Sequence, residues 1–205
     1  VSNLFLLFVA AAVIVYYLVP ARWQWLVLLG FSYIYYIAGG IKYVGFLLFS
    51  TLVTWMIALL IEKEETAGKH KRARKFVILG LTLNFGMLGL IKYTNFAVEN
   101  LNALFHMNLR GMEILLPLGI SFYTFQSSGY ILDVYWKRCK AEHNPLKYAL
   151  FVSFFPQILQ GPIGRYSRLA HQLYEPHKFE SANITRGLER ILWGFFKKMI
   201  LADWS

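Results

Sequence analysis

The stretch FVSFFPQILQGPIGRY, residues 151–166, decides the fold that we expect for this chain of 205 residues. Its first half is as apolar as a membrane-spanning segment, but Pro156, Gly161 and Pro162 interrupt it. In lipid an unpaired backbone group is costly, so a broken helix persists only where it packs inside protein or faces a wet cavity. The stretch therefore predicts a re-entrant element, residues 151–162, that lines a site inside a membrane protein.

The composition around this stretch also indicates a membrane protein. Hydrophobic residues make up 57% of the chain, whereas soluble domains are about 45–50% apolar. The net charge is +10, but the basic residues lie between apolar runs, where they fix topology rather than bind a polyanion. We therefore expect membrane lipid, and not nucleic acid, as a partner. The single cysteine, Cys139, cannot form an internal disulfide, and an inert thiol is favoured over an acylated one.

Five apolar runs predict spans of an all-α polytopic protein of the inner or cytoplasmic membrane, at residues 4–19, 23–38, 43–61, 76–91 and 114–136. The basic segment 62–75 is predicted to be a cytoplasmic loop, which places the N-terminus outside. Residues 92–113 are then an outer loop or surface helix. Residues 163–185 are polar, and a helical pattern restarts at residue 186. Without internal repeats, the whole of 1–205 is expected to belong to one membrane domain.

A polar stripe runs along the fifth span. Tyr123, Gln126, Tyr130 and Asp133 fall at i, i+3, i+7 and i+10, on one helix face. Polar side chains in a membrane helix face the protein interior, so the stripe is predicted to line a cavity. For Asp133 an alternative stays open, because it can simply pair with Lys137 or another basic residue.

The broken stretch itself allows two interpretations. Gln157 and Gln160, together with the two prolines and Gly161, can shape a passage for a substrate, with Arg165 suited to a phosphate or carboxylate. Alternatively, the segment is a kinked structural helix whose glutamines satisfy freed backbone groups. A later basic pair, Lys197 and Lys198, is similarly either a headgroup anchor or a contact for an acidic donor such as coenzyme A.

Motifs for other chemistries are absent from the sequence. The five histidines lack zinc-helix spacing and are predicted to be solvated or structural: His70, His106, His143, His171 and His177. No metal site is predicted. Nucleophile-elbow, P-loop and dinucleotide-binding patterns do not occur either.

Three segments in this order resemble the membrane-bound O-acyltransferase family: LPLGISFYTFQSSGYILDVY (116–135), FFPQILQGPIGRYSRLAHQL (154–173) and GFFKKMILAD (194–203). The second segment is most similar to the bacterial branch that acetylates alginate. The resemblance implies a helical ring around a tunnel, here incomplete. It also implies an acyltransferase that transfers groups other than aminoacyl groups. The reaction implied is the transfer of an acetyl group from acetyl-CoA to a cell-envelope or exported polysaccharide.

The resemblance further implies a hydrolase-like (SGNH) partner outside the membrane that completes the transfer. The family's histidine is expected beyond Ser205, so no catalytic residue is assigned, and this chain is expected to be a fragment without the catalytic half. A transporter or flippase for a lipid-linked or acidic glycan is the alternative, since broken helices and an intramembrane polar stripe suit it as well.

Overall fold

The computed structural model describes residues 3–105, 119–158, 164–197 and 200. These residues form helices and no strand, so the all-α prediction is confirmed. The helices are α1 (Asn3–Leu18), α2 (Gln24–Gly39, after a 3-10 turn Ala21–Trp23), α3 (Ile41–Thr66), α4 (His70–Phe105), α5 (Ile120–Tyr135), α6 (Pro145–Ser153), α7 (Phe155–Ile158), α8 (Tyr166–Tyr174) and α9 (Ser181–Phe196).

The chain divides into two compact units. One contains Val1–Arg22 and Pro176–Ser205, and the other contains Trp23–Glu175. In the first unit, the Tyr16 hydroxyl lies 3.1 Å from His177 Nδ1, and the Tyr17 and Phe179 rings meet edge to face. The second unit holds the polar stripe and the first half of the broken stretch.

Two helices in the described part of the chain are long and apolar enough to cross a membrane, α3 and α4, and α1 is a shorter apolar helix. At 1.5 Å per residue, the 26 residues of α3 extend about 39 Å, more than the roughly 30 Å of a hydrocarbon core. The length and apolar composition of these helices fit the helical membrane protein that the composition predicted.

Helices α3 and α4 extend into two of the predicted connections, 62–75 and 92–113. The basic segment 62–75 is mostly helical, because α3 continues to Thr66 and α4 begins at His70, with Gly68 at φ 71° in the turn between them. Likewise, α4 continues through the first part of segment 92–113 as far as Phe105. Hydropathy indicates where a helix leaves the apolar environment, but the helix itself can continue beyond that point because its backbone hydrogen bonds also form in water. Residues 106–118 lie outside the described part.

Two polar segments that the sequence analysis left unassigned are also helical. Helix α8 buries Tyr166, Ala170 and Leu173, which are spaced i, i+4 and i+7. Helix α9 begins at Ser181 and not at residue 186, because its first turn is polar and does not show the apolar pattern by which the helix was predicted.

A buried polar network connects α3, α4, α5 and α6. Asn84 of α4 accepts a hydrogen bond from Ser50 (2.8 Å) and donates to Thr54 Oγ1 (2.9 Å) and to its own helix at the Gly80 carbonyl (3.0 Å). Tyr148 of α6 bonds to Thr54 and, at 3.4 Å, to Ser127 of α5. The sequence analysis missed this network, although an asparagine within an apolar run is a recognisable signal for such a contact.

Candidate functional site

The helix break in the broken stretch is held by side chains of two other helices. Helix α6 ends at Ser153, and Phe154 (φ −53°, ψ 105°) separates it from α7. The Phe151 carbonyl, which loses its helical partner there, accepts a hydrogen bond from Gln126 Nε2 at 2.9 Å. The Phe155 N–H donates to Ser32 Oγ at 3.3 Å. These two freed backbone groups are thus satisfied, as an apolar environment demands.

Pro156 explains why the break lies where it does. It is the second residue of α7, where a backbone N–H has no helical partner in any case. If α6 continued without a break, the proline ring would clash with the carbonyl of Val152, four residues earlier. The break therefore precedes Pro156 by two residues.

A cleft of about 260 Å³ lies beside this break. It contains three residues of the predicted stripe and the predicted cation Arg165, and its described lining is Gln126, Gly129, Tyr130, Leu132, Asp133, Trp136, Arg138, Gly164, Arg165 and Tyr166. The 3.6-residue period had placed the stripe on one face, and packing of α8 against α6 brings Arg165 and Tyr166 to it. The structure thus brings together residues that are more than thirty positions apart.

The other predicted lining residues lie elsewhere or make other contacts. Tyr123 is fully buried in the core, and its hydroxyl has no hydrogen-bond partner among the described residues. Pro156 is exposed. Gln157 is half-buried, with Oε1 3.4 Å from Gln126 Nε2. A Cβ on Gly164 would lie only 2.4 Å from Gln157 Nε2, so a side chain at residue 164 would displace this glutamine.

Four predicted residues, Gln160, Gly161, Pro162 and Lys198, lie outside the described part of the chain. Lys197 follows α9 in the first unit, with its ammonium 5.4 Å from the centre of the Trp193 ring. A cation held over an indole face is stabilised there.

Charged groups at the cleft are only partly compensated. Asp133 pairs with Arg138 at 3.5 Å, whereas Lys137 pairs with Glu65 at 3.3 Å. Asp133 therefore does not pair with Lys137, as one alternative predicted. Its partner is another basic residue, Arg138, as the other alternative allowed. Arg165 is exposed, and among the described residues its guanidinium has no carboxylate partner. The cleft thus presents two arginines and one carboxylate.

An aromatic cluster forms the wall behind these polar groups. The ring of Tyr130 lies 4.6 Å from that of Tyr148 and 4.7 Å from that of Tyr166, and Phe151 meets Tyr166 edge to face at 4.9 Å. Tyr166 was missed as a site residue. Its position at the start of an i, i+4, i+7 apolar pattern in helix α8 could have shown that it points inward.

The described histidines are exposed, and each contacts a carboxylate or phenol. His70, for example, pairs with Glu65 at 2.8 Å. In the ranges that the structure describes, no three carboxylates, histidines or cysteines come together as metal ligands. Burial, with smaller contributions from Asp133 and Glu62, raises the pKa of the Cys139 thiol to about 12, so the thiol is protonated and unreactive near neutral pH.

Known proteins similar to this chain are named as an alginate O-acetylase, a peptidoglycan O-acetyltransferase and a teichoic acid D-alanyltransferase. A protein of Azotobacter vinelandii named probable alginate O-acetylase is 37% identical over 98% of this chain and 41% of its own length. The peptidoglycan O-acetyltransferase of Helicobacter pylori is 33% identical over 87% of this chain and 38% of its own length.

A teichoic acid D-alanyltransferase of Lacticaseibacillus rhamnosus is 26% identical over 77% of this chain and 35% of its own length. The chain therefore spans about two fifths of the length of these curated relatives. No family model and no solved structure matches the chain.

Proposed function

We propose that this chain, which belongs to the membrane-bound O-acyltransferase family, forms part of an enzyme that acetylates a hydroxyl of an exported or cell-envelope polysaccharide. The observation that carries the proposal is the 37% identity to an alginate O-acetylase, which extends over 98% of the chain. The stretch so matched includes the polar stripe and the broken stretch, from which the cleft is built.

In this proposal the cleft binds the acyl donor, a coenzyme A thioester. Arg165 and Arg138 suit the donor's phosphates, because a guanidinium offers several fixed N–H donors to an anion. Gln126 and the ring of Tyr130 provide a polar group and an apolar face for the pantetheine arm. Lys197 and Lys198 are proposed as further basic contacts on the donor side.

The remaining sequence-predicted residues keep a proposed role in the passage. Gln160, Gly161 and Pro162 are proposed to line it from sequence alone, together with Gln157 and Pro156. Tyr123 lies in the core, where its proposed role is to shape the passage from behind.

The reaction itself needs proton transfer. The acceptor hydroxyl attacks the thioester carbonyl, its proton passes to a general base, and coenzyme A leaves as the thiol. The described lining of the cleft holds no histidine. We therefore propose that the cleft binds and orients the donor, and we assign the general base to none of its residues.

The proposed orientation follows the basic residues. Lys137, Arg138 and the segment 62–75 would face the cytoplasm, where acetyl-CoA is made, and the N-terminus would lie outside. The acetyl group then crosses the membrane within the protein. We propose that an extracytoplasmic partner of the SGNH-hydrolase type supplies the acceptor hydroxyl and then passes the acetyl group from the resulting ester to a hydroxyl of the polysaccharide.

The test uses membranes that hold the chain in its native reading frame, with its partner proteins and labelled acetyl-CoA. We expect label in the polysaccharide or in the partner. Absence of label despite good expression would refute acetyl transfer, and movement of unlabelled glycan across the membrane would favour a transporter instead.

A matched pair of arginines tests the role of the cleft. Arg165→Gln should raise the apparent KM for acetyl-CoA about tenfold, because one charge-assisted bond to a phosphate is lost. Arg168→Gln, at an exposed position three residues on in helix α8, should leave it unchanged. Equal effects of the two substitutions would contradict donor binding in the cleft.

A further inference from the structure

Glu142 lies behind the cleft, in the connection between α5 and α6, and is not among the lining residues. Its backbone and carboxylate nevertheless make hydrogen bonds to four residues in different parts of the second unit. A half-buried residue that makes two hydrogen bonds through its backbone and two through its carboxylate has a fixed position.

Two of these bonds lead to the walls of the cleft. The Glu142 N–H donates to the Tyr130 hydroxyl at 2.8 Å, and the Tyr166 hydroxyl donates to Glu142 Oε2 at 2.8 Å. Burial above all, with the nearby Tyr174 phenol and the Glu142 carboxylate, raises the pKa of Tyr166 far above its ordinary value, so Tyr166 stays a donor. One residue thereby holds an aromatic side chain of α5 and another of α8.

The other two bonds hold Glu142 itself. The Asn144 N–H donates to Oε1 at 2.9 Å, so both carboxylate oxygens are occupied. The indole Nε1–H of Trp55, on α3, donates to the Glu142 carbonyl at 2.8 Å. Since α3 is one of the long helices of the unit, the anchor is rigid, and a shift of Glu142 would break bonds on both sides.

We propose that Glu142 is the positioning residue of the cleft, which sets the separation of Tyr130 and Tyr166 and thereby the affinity for the acyl donor. This inference rests on the proposed function. Glu142 acts through the two tyrosines and touches neither the donor nor the reacting atoms.

The first test measures the geometry of the cleft without any catalytic activity. Gly129 lines the cleft, and a Cβ there meets nothing within 4 Å, so Gly129→Cys in a Cys139→Ala background gives a thiol reporter. We expect Glu142→Ala and Tyr166→Phe to change its alkylation rate about fivefold, the factor of one ordinary hydrogen bond. Glu99→Gln, at an exposed position on α4, should not change it.

The second test separates binding from chemistry. Glu142→Ala should raise the apparent KM for acetyl-CoA about fivefold with a smaller change in kcat. Glu142→Gln, which keeps one side-chain acceptor, should lie between Glu142→Ala and the wild type. Glu142→Ala and Tyr166→Phe remove the same hydrogen bond. The double variant should therefore raise the apparent KM no more than the single variant with the larger effect.

The two tests fail in different ways. An unchanged alkylation rate in both Glu142→Ala and Tyr166→Phe would overturn the positioning role, whatever the activity. A loss of kcat at constant KM would overturn it as well. If wild-type membranes transfer no acetyl group, the proposed function fails, while the reporter still decides whether Glu142 sets the cleft.

Discussion

Replacing Gln126 should destabilise the protein at the helix break. Gln126→Met keeps the length of the side chain and removes the amide that donates to the Phe151 carbonyl at 2.9 Å. Gln126 is 4% exposed and Phe151 1%, so water cannot replace the lost donor. The contact with Gln157, at 3.4 Å, is at the long limit for a hydrogen bond and adds little.

The magnitude follows from the carbonyl that is left unpaired. A buried polar group without a partner costs about 1–3 kcal/mol, and side-chain hydrogen bonds in membranes contribute up to about 1.7 kcal/mol. We therefore expect Gln126→Met to lower the free energy of unfolding by about 2 kcal/mol. The matched control is Gln172→Met on α8, where the glutamine is exposed and the expected change is below about 0.5 kcal/mol.

Pro156 provides a rescue that is specific to this reasoning. While Pro156 is present, the freed Phe151 carbonyl cannot regain the Phe155 N–H, because closing the helix would press the proline ring against the preceding turn. Pro156→Ala removes this obstacle. Combined with Gln126→Met and Ser32→Ala, which frees the Phe155 N–H, it should restore about 1 kcal/mol, the strength of one backbone hydrogen bond.

The assay is equilibrium unfolding of the purified protein in mixed micelles, with the denaturing detergent as the titrant. A Gln126→Met variant as stable as the wild type would refute the assignment of Gln126 to the break. A triple variant no more stable than Gln126→Met combined with Ser32→Ala would refute the role of Pro156.

Three further substitutions or treatments test other parts of the second unit. Asn84→Leu removes three hydrogen bonds. At about 0.6 kcal/mol for each bond, it should lower the free energy of unfolding by about 2 kcal/mol in the same assay. The control Asn100→Leu, at an exposed position on the same helix, should lower it little. Lys137 has a left-handed backbone, with φ 59°. Lys137→Gly and Lys137→Ala both lose the Glu65 ion pair, but only glycine adopts this backbone without strain, so Lys137→Gly should be about 1 kcal/mol more stable than Lys137→Ala. A Lys137→Ala variant more stable than Lys137→Gly would contradict this account. With a pKa of about 12, Cys139 should react with iodoacetamide at pH 7.5 about three orders of magnitude more slowly than a free cysteine, and rapid labelling of the folded protein would contradict its burial.

The sequence predicted the stripe better than the break. The period of 3.6 places Gln126, Tyr130 and Asp133 on one face irrespective of the partners that cover it, and these three line the cleft. Tyr123 follows the same period but lies in the core, because the cleft lies toward one end of α5 and periodicity gives no position along the axis.

Contacts between distant segments could not be read from the sequence. Glu142 meets Trp55 and Tyr166 at separations of 87 and 24 residues, and its local sequence, AEHN, reads as an ordinary polar loop. The sequence shows Asn84 as a polar residue among apolar neighbours, but it does not show which residues of α3 are its partners. Such bonds depend on which helices pack together, and that is decided by the sum of many weak contacts.

Gln126 lies on α5, outside the broken stretch, but it bears on both interpretations. Its amide satisfies the Phe151 carbonyl, a role that the structural interpretation gave to the glutamines of the stretch itself, and the same side chain lines the cleft, as predicted for the polar stripe. A broken helix in lipid needs polar side chains to hold its free backbone groups, and those side chains make the adjacent space polar. The break therefore gives the proposed donor site a polar environment, and we expect stability and the proposed binding to depend on the same residue.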